Sequence, residues 1–327
     1  MYSIFLCSLQ INNSKKQRKM KILIVASCNS GNLTPFVVEQ IKALKEQGVQ
    51  VETYGIIGKG IGGYLRNLSG IRRKINLFGP DVIHAHYGLS GLCANLQRKV
   101  PVVTTFHNGE TLSFTANLLS SIGAVMAQHV IYVAKHIRQL SYYKAKHYSI
   151  VPCGINLDDC KIIPFEEARK QLGFEDGKKY ILFGGAFDNL RKNYPLLREA
   201  VGLLKNKGNV ICLEMKGLSR AECVLRMCAC DVFVLPTKSE GSPQALKEAM
   251  ACNCPIVATD VADIRHLLGD IDGHYICSFE PKNVASKIAE AFSYGKRTNG
   301  RQRIIDLGLT NDLVAKRLIT IYKAVTK

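Results

Sequence analysis

Short, uninterrupted apolar runs recur along the chain, and they constrain the fold more than any other feature of the sequence. Ile22–Ala26 is the first run, and two later ones end in polar residues at His86 and His107. A continuous apolar run of about four to eight residues is typical of a strand buried on both faces of a parallel sheet. Stretches with helical periodicity lie between the runs, and Pro35 opens the first of them. This alternation predicts the α/β class, in which helices cover both faces of an open parallel sheet.

The same alternation of strands and helices starts again near residue 179. Tyr180–Phe183 and Asp231–Leu235 are apolar runs of the same kind. Turn-forming residues collect between Pro152 and Phe165, and they mark this segment as a linker. A chain of 327 residues also suits two domains rather than one. The sequence therefore predicts two doubly wound, Rossmann-like domains with the ligand cleft at the carboxyl ends of both sheets.

We expect the first domain to span 20–155 and the second 156–310. Residues 1–19 are expected to be a disordered extension, because their apolar start precedes a basic cluster, the reverse of a secretory signal. No run approaches the ~20 apolar residues that a membrane helix needs. The twelve cysteines include no CxxC pair and no zinc-like spacing, which predicts free thiols in a reducing cytosol and no bound metal. The expected location is therefore cytoplasmic.

The net charge of +18 is concentrated in the first half of the chain. Residues 1–150 contain 18 Lys and Arg against 5 Asp and Glu, an excess that predicts attraction to an anionic surface. Nucleic-acid binding has no support beyond this charge, because no recognised module is present. An anionic membrane surface, at the inner face of the plasma membrane, is the predicted partner. The stretch from Leu65 to Ile75, with Arg66 and Arg72–Lys74, is either a basic amphipathic membrane contact or a helix packed on the sheet.

The strongest chemical signal is a pair of glutamates, Glu240 and Glu248, that flank a predicted helix start. Ser242 is a good N-cap, and Pro243 suits the first helical position. Gly241 lacks a Cβ, so a ligand can approach the backbone closely. The free N–H groups at such a helix start bind phosphate well. Glu240 can accept hydrogen bonds from sugar hydroxyls, and Glu248 can accept them from a ribose diol.

This stretch resembles the Glu-x7-Glu signature of the family 4 (group 1) retaining glycosyltransferases, which have the GT-B fold. The residues that follow, Ala249–Cys252 and Pro255–Thr259, resemble the family's EAMAxGxPVVAT run. Three further segments fall in the family's order: Pro80–His86, Val103–His107 and Val151–Ile155. The resemblance implies two domains facing a cleft, with a terminal helix over 311–327 that packs back on the first domain. It also implies transfer of a hexosyl-type sugar from a nucleotide-diphosphate sugar to a glycan or lipid-linked acceptor in cell-surface polysaccharide synthesis, with retention and without a bound metal.

The resemblance also implies roles for individual residues of the first domain. Gly31 lies in the loop that comes near the donor phosphates. His107 faces the transferred sugar and, with Glu240, is expected at the catalytic centre. His86 is expected on the acceptor side. We further expect His84 and His86 to point to opposite faces of their strand, one of them packed under a helix.

The sequence departs from the family pattern at the phosphate site. Gly185 and Ala186 stand where the family usually has an arginine, while Arg191 and Lys192 supply the basic residues that follow. Lys192 is the expected phosphate ligand, and whether Arg191 replaces the missing charge stays open. In this interpretation, Lys192 and the amides of residues 241–243 stabilise the charge of the departing diphosphate.

Two other functions remain as alternatives. A sugar-nucleotide epimerase of the same fold would keep the diphosphate site and use paired carboxylates and histidines for elimination. A dinucleotide-binding oxidoreductase is the alternative from a different class. The turn after the first strand, from Ala26 to Gly31, argues against the oxidoreductase because it lacks the G-x-G-x-x-G fingerprint.

Overall fold

The structure is a computed structural model that describes residues 18–205 and 207–327. In the first half of the chain, six strands alternate with six α-helices. The strands are β1 Lys21–Ser27, β2 Gln50–Ile56, β3 Val82–His86, β4 Val102–Phe106, β5 His129–Tyr132 and β6 Tyr148–Ile150. The helices are α1 Pro35–Glu46, α2 Gly60–Leu65, α3 Leu68–Phe78, α4 Gly88–Asn95, α5 Phe114–Met126 and α6 Lys135–Leu140.

The second half repeats the pattern and ends in three helices. The strands are β7 Lys179–Phe183, β8 Val210–Leu213, β9 Val232–Leu235, β10 Ile256–Thr259 and β11 His274–Cys277. The helices are α7 Phe165–Leu172, α8 Tyr194–Gly202, α9 Arg220–Ala229, α10 Gln244–Ala251, α11 Ile264–Leu268, α12 Pro281–Tyr294, α13 Gly300–Asp306 and α14 Asn311–Val325.

Each half forms its own parallel sheet. The strand order is β2-β1-β3-β4-β5-β6 in the first sheet and β11-β10-β9-β7-β8 in the second. Strand β1 lies next to the edge strand β2 and pairs in parallel with both neighbours, so that Ile24 lies opposite Thr53 on one side and His84 on the other. Helices pack on both faces of each sheet, and every residue of β3 and β4 is buried. The predicted α/β class with two doubly wound sheets is confirmed.

The last helix, α14, packs on the first domain although it follows the second domain in the chain. Its residues Leu318 and Tyr322 belong to the same buried cluster as Ile22 and Ile24 of β1. Full burial of a large apolar side chain stabilises a fold by about 1.5–3 kcal/mol. The chain therefore crosses between the domains twice, and Ile155 of the first crossing forms a parallel bridge with Thr310 of the second.

The predicted disordered extension lies mostly outside the described residues, which begin at Arg18. The side chain of Arg18 donates to the Asp81 carboxylate at 3.1 Å. The same carboxylate accepts from the backbone N–H of Lys21 at 2.8 Å. The side chain of Arg18 therefore lies beside the amino end of β3.

The basic stretch from Leu65 to Ile75 is not a single exposed helix. It divides into α2 and α3 around Asn67, whose side-chain amide donates to the carbonyl oxygens of Ile57 and Gly63. Ile71 and Ile75 are buried against the sheet. A helix whose apolar side already contacts the protein cannot insert that side into a membrane. The apolar residues Ile71 and Ile75 of α3 therefore pack on the sheet, while Leu65 at the end of α2 is 43% exposed.

Three expectations, on cysteines, metal sites and membrane helices, can be compared with residues 18–205 and 207–327, the part of the chain that the structure describes. All eleven of their cysteines are free thiols. Within them, no cluster of three or more His, Cys, Asp or Glu side chains has a geometry suited to a metal ion. No helix in this part of the chain is long and apolar enough to cross a membrane.

Candidate functional site

The predicted site residues lie where strands of the two sheets end. The first sheet brings His86 to the end of β3, and His107 follows the end of β4. In the second sheet, β9 ends at Leu235, and the chain continues through Glu240 into α10. Because all these strands are parallel, their carboxyl ends gather functional side chains at one edge of each sheet.

Glu240 and Lys192 form a buried ion pair at the carboxyl edge of the second sheet. Lys192 Nζ donates to Glu240 Oε1 at 2.6 Å, and the Thr237 hydroxyl donates to the same oxygen at 2.9 Å. The side chains of Lys192 and Glu240 are only 13% and 8% exposed. Burying two charges is costly unless their hydrogen bonds are satisfied. An ammonium group has three donors, so Lys192 keeps donors for a phosphate oxygen while it binds Glu240.

Gly241 contacts the first domain directly. A Cβ at this position would lie 2.4 Å from the backbone oxygen of His107, closer than real Cβ contacts allow. His136 Nε2 lies 3.1 Å from the backbone oxygen of Glu240. The side-chain amide of Asn108 donates to the Ser239 hydroxyl at 3.2 Å. The loop that carries Glu240 and Gly241 therefore lies against the loop that follows β4, with His107 and Glu240 on facing walls.

The start of α10 differs from the prediction in one respect. The helix begins at Gln244, Pro243 occupies the N-cap position, and no side chain caps the helix. The ψ angle of Pro243 is 115°, an extended value that places it before the first helical turn. Ser242 is therefore not the N-cap, and its buried hydroxyl oxygen has no hydrogen-bond partner among the described residues. Gln244 instead binds the linker, donating from its side chain to the backbone oxygen of Gly154 at 3.0 Å.

The histidines of β3 lie on the same face of the strand, not on opposite faces as expected. Residues two apart in a strand share a face. The rings of His84 and His86 accordingly stack with centroids 4.5 Å apart. His84 lies between Tyr322 of α14 and Thr105 of β4, with its ring nitrogens 2.6 and 2.7 Å from their hydroxyl oxygens.

His86 and His107 form a hydrogen-bonded pair. The side-chain amide of Gln40 donates to His86 Nε2, which leaves His86 Nδ1–H to donate to His107 Nε2 at 3.0 Å. His107 Nδ1 faces the Cys153 sulfur at 3.9 Å. Both ring nitrogens of His107 are thus occupied. These contacts hold the His107 ring in one orientation at the wall of the cleft.

Burial keeps the three imidazoles neutral. It lowers the pKa of His86 to about 3. The pKa values of His84 and His107 also lie well below the ordinary range, again because of burial. The charge of Lys247 lowers the pKa of His107 further. Near neutral pH this wall of the cleft therefore carries no histidine charge.

Glu110 is a residue of the site that sequence reasoning missed. It is 3% exposed, and its two oxygens accept from the backbone N–H groups of Gly88 at 3.1 Å and His107 at 3.0 Å. Burial raises its pKa to about 7, although these N–H groups favour the charged form. Glu110 also lines a cavity of about 410 Å³ with Ser27, Asn29, Ser30, Thr34, Tyr64, Tyr87, Gly88, Leu89, Gly109, Ala116 and Ser120. No motif in the sequence pointed to it.

Glu248 is held by an arginine that sequence reasoning also missed. Arg220, the first residue of α9, donates to Glu248 Oε1 at 2.8 Å and also pairs with Glu39 of α1. Burial raises the pKa of Glu248, and Arg220 partly offsets this rise. The neighbouring Lys247 is fully buried and donates to the backbone oxygen of Cys153 at 2.6 Å. Glu248 is thus next to the domain boundary, where one carboxylate oxygen faces Arg220.

Two predicted residues remain outside this cluster. The side chain of Arg191 is exposed, and in the part of the chain that the structure describes it makes no hydrogen bond or ion pair. Its backbone oxygen accepts from Lys238 N and from the Thr237 hydroxyl. Gly31 has a φ of +91° in the exposed turn after β1, beside the cavity residues Asn29 and Ser30. The aliphatic part of the Lys192 side chain lies over Gly185, at the position where the family usually has an arginine. A Cβ on Gly185 would be 2.8 Å from Lys192 Cγ.

The fold matches solved glycosyltransferases of the GT-B type. It superposes on sucrose-phosphate synthase from Thermosynechococcus elongatus with a TM-score of 0.78 at 18% identity, covering 94% of this chain and 99% of that one. It superposes on Anabaena HepE, solved in complex with UDP-glucose, with a TM-score of 0.73 at 15% identity, covering 93% and 100%. The predicted GT-B fold is therefore confirmed.

Two family models match the sequence itself. Glycosyltransferase Family 4 matches residues 40–159, and Glycosyl transferases group 1 matches residues 220–294. Together they cover both sides of the cleft. The chain belongs to the family 4 (group 1) glycosyltransferases.

Curated relatives carry more specific names. The putative teichuronic acid biosynthesis glycosyltransferase TuaC of Bacillus subtilis is 26% identical over 247 residues, 65% of this chain and 61% of TuaC. A Campylobacter jejuni enzyme, N,N'-diacetylbacillosaminyl-diphospho-undecaprenol alpha-1,3-N-acetylgalactosaminyltransferase, is 26% identical over 244 residues, 65% of each chain. The chain thus spans less than two thirds of the length of these relatives.

Proposed function

We propose that this glycosyltransferase moves a hexosyl-type sugar from a nucleotide-diphosphate sugar to a glycan or lipid-linked acceptor in cell-surface polysaccharide synthesis. The observation that carries the proposal is the buried pair of Lys192 and Glu240, which faces His107 across a cleft closed at Gly241. A glycosyl diphosphate suits a site that combines a cation, a carboxylate able to bind sugar hydroxyls, and the free amides at the beginning of a helix.

The names of related proteins support the donor and the acceptor. HepE was solved with UDP and with UDP-glucose. The Campylobacter relative is named for a diphospho-undecaprenol acceptor, and TuaC for teichuronic acid biosynthesis. For this protein we propose only the class of each ligand. A nucleoside diphosphate binds on the side of Lys192, and a glycan or lipid-linked sugar binds on the side of His86 and the cavity beside Glu110.

In the proposed reaction, a hydroxyl oxygen of the acceptor forms a bond to the anomeric carbon while the bond from that carbon to the diphosphate breaks. The proton of the hydroxyl leaves on the departing diphosphate. Attack on the face from which the diphosphate leaves retains the anomeric configuration. Lys192 and the backbone N–H groups of Gly241 and Ser242 stabilise the negative charge that grows on the diphosphate. We propose that no bound metal is needed, because this fixed cation and the helix start supply the positive charge.

The ribose end of the donor is assigned to Glu248. A carboxylate can accept one hydrogen bond from each hydroxyl of a vicinal diol, and one oxygen of Glu248 already binds Arg220. Arg220 therefore holds the carboxylate in place for the diol. We further propose that the protein acts in the cytoplasm, at the inner face of the plasma membrane.

Thermal-shift screening against UDP, GDP, ADP and their sugars tests the proposal. A ligand at a hundred times its Kd stabilises the folded state by about 2.7 kcal/mol. We expect one of the three nucleotides to raise the Tm by roughly 5 °C, and Glu248→Ala to reduce this rise. Failure of all three to shift the Tm would contradict the donor assignment. Turnover of the sugar nucleotide to its epimer, without transfer to an acceptor, would favour the epimerase instead.

A further inference from the structure

Helix α5 buries its polar side and exposes its apolar side, the reverse of an ordinary surface helix. Its buried side carries small and polar residues, among them Asn117, Ser120, Ser121, Gly123 and Ala124. Its outward side carries large apolar residues: Phe114 is 67% exposed, Leu118 44%, Ile122 46% and Val125 61%. Surface helices of globular proteins normally place the apolar stripe inward. The whole helix contains no charged residue.

The last residue of α6 and the segment that follows it extend this apolar area. Leu140 and Tyr142 are more than half exposed. Asn117 fixes them beside α5, donating to the backbone oxygen of Leu140 at 2.8 Å and accepting from the backbone N–H of Tyr142 at 2.9 Å. The rings of Phe114 and Tyr142 are 5.7 Å apart. We call these six residues the α5 surface: Phe114, Leu118, Ile122, Val125, Leu140 and Tyr142.

The surroundings of the α5 surface are positively charged. No Asp or Glu occurs between Glu110 and Asp158. Lys144 and Lys146, which follow Tyr142 closely in the chain, are exposed. At the other end of the helix, Val125 shares a cavity with Arg98 and Lys99, and the one acidic side chain of that cavity, Asp81, is paired with Arg18. A contiguous apolar area of this kind marks an interaction site.

We propose that the α5 surface docks on an anionic lipid bilayer. Its apolar side chains enter the boundary between headgroups and acyl chains, and the flanking lysines bind the lipid phosphates. A bilayer matches both properties of the surface, apolar at the centre and cationic at the rim. A symmetric contact with a second copy would instead bring two sets of lysines together, which is electrostatically unfavourable.

The location of the surface connects it to the proposed acceptor side. Ala116 and Ser120 of α5 line the 410 Å³ cavity that also contains Glu110. Docking through the outer side of α5 therefore places this cavity within one helix diameter, about 10 Å, of the lipid headgroups. This part of the inference rests on the proposed transfer to a lipid-linked acceptor, whereas membrane docking is tested without any turnover.

A single tryptophan can report the contact, because the natural chain contains none. We expect the emission of Leu118→Trp to shift to shorter wavelength on vesicles of phosphatidylglycerol and phosphatidylcholine in roughly a 3:7 ratio. The shift should be absent with pure phosphatidylcholine. The matched control is Leu203→Trp, at a position of similar exposure (53%) in the second domain, whose emission should not change. A shift at position 203 without one at 118 would overturn the proposal.

Sedimentation with the same vesicles separates the apolar and the electrostatic contributions. The pair Leu118→Glu and Ile122→Glu should weaken binding at least about tenfold, since it puts carboxylates where apolar contact is needed. Lys144→Gln and Lys146→Gln should each weaken vesicle binding about fivefold at low salt. High salt should weaken the binding of the wild type. Leu203→Glu is the control and should bind like the wild type.

Two results would overturn the inference. The first is unchanged vesicle binding by the Leu118→Glu, Ile122→Glu variant. The second is a concentration-dependent dimer of the wild type that the variant no longer forms, with no vesicle binding by either the wild type or the variant. The nucleotide thermal shift of the same variant distinguishes this failure from failure of the proposed function. It should equal that of the wild type, because both substitutions lie on the outer side of α5. A variant that keeps the nucleotide shift and also keeps vesicle binding disproves only the docking surface.

Discussion

Glu110 combines burial with two backbone hydrogen bonds, and its ionisation should be visible in the stability of the protein. Its pKa in the folded state is about 7, above the ordinary 4.5, so the folded state binds more protons than the unfolded state between these values. The contribution of Glu110 to stability is therefore complete below pH 4.5 and is lost as the pH rises through 7. Relative to Glu110→Gln, the wild type should lose about 3 kcal/mol between pH 4.5 and 7.5.

Urea unfolding of both proteins at several pH values measures this difference. Gln can accept only one of the two N–H bonds, so the variant also carries a cost of about 1–3 kcal/mol that does not depend on pH. The test is therefore the change of the difference with pH, not its size at one pH. If the free energies of unfolding of the two proteins changed with pH in the same way, Glu110 would have its ordinary pKa in the folded state.

Lys192 and Glu248 should contribute to catalysis in different ways. Lys192 faces charge that grows as the diphosphate leaves, so Lys192→Ala should lower kcat by about 10²- to 10³-fold. Glu248 should bind the ribose equally in the ground state and the transition state, so Glu248→Ala should mainly raise the donor KM. Steady-state kinetics with the sugar nucleotide identified by thermal shift separates the two effects.

Lys178→Ala is the matched control for the loss of a lysine. Lys178 lies just before β7, at the amino edge of the same sheet, and pairs with Glu175. Its removal should leave both kinetic constants unchanged. Wild-type kcat and KM in Lys192→Ala and Glu248→Ala would show that the sugar nucleotide binds elsewhere.

At the level of elements, Arg220 connects three helices. It begins α9, binds Glu248 of α10 and pairs with Glu39 of α1, and all three side chains are less than a third exposed. Arg220→Met would remove the cation that the two carboxylates share. We expect a loss of about 3 kcal/mol in the free energy of unfolding, since removing one partner of a buried ion pair leaves an uncompensated charge. The triple variant with Glu39→Gln and Glu248→Gln should recover part of this loss.

A surface ion pair is the appropriate control for this measurement. Arg265 donates from Nε and Nη2 to the same oxygen of Asp260, in a pair whose side chains are 67% and 49% exposed. Exposed pairs contribute about 0–1 kcal/mol. Urea unfolding should therefore show a much smaller effect for Arg265→Met than for Arg220→Met. Equal losses would mean that the contact between α1, α9 and α10 does not stabilise the molecule.

At the level of the whole molecule, α14 makes the stability of the first domain depend on the end of the chain. Leu318 is 2% exposed and packs in the cluster built around Ile22 and Ile24. Leu318→Ala should cost about 2–5 kcal/mol, through lost burial and the cavity that remains. Hydrogen exchange should locate this loss in β1 and α1, far from residue 318 in sequence.

Ile305→Ala provides the comparison, because Ile305 is 39% exposed in the neighbouring helix α13. Its removal leaves no cavity, so we expect a change of about 0.5 kcal/mol or less. If Leu318→Ala left the exchange of β1 unaltered, α14 would not be part of the first domain's core.

The sequence by itself determined the fold class and the position of the main strands. Continuous apolar runs such as Ile22–Ala26 can be buried on both faces only inside a parallel sheet. The motif from Glu240 to Glu248 likewise carried its own structural context, a strand end followed by a helix start. Such features depend on neighbours along the chain, so they can be predicted from the chain alone.

Only the tertiary structure decided which side chains meet. Arg220 contacts Glu39, and Tyr322 contacts His84 across 238 positions of sequence. No local pattern encodes such pairs. The burial that raises the pKa of Glu110 comes from packing between elements. Helix α5 is the clearest case, because its apolar residues look like core in sequence. They are exposed because its small and polar side fits against the first domain.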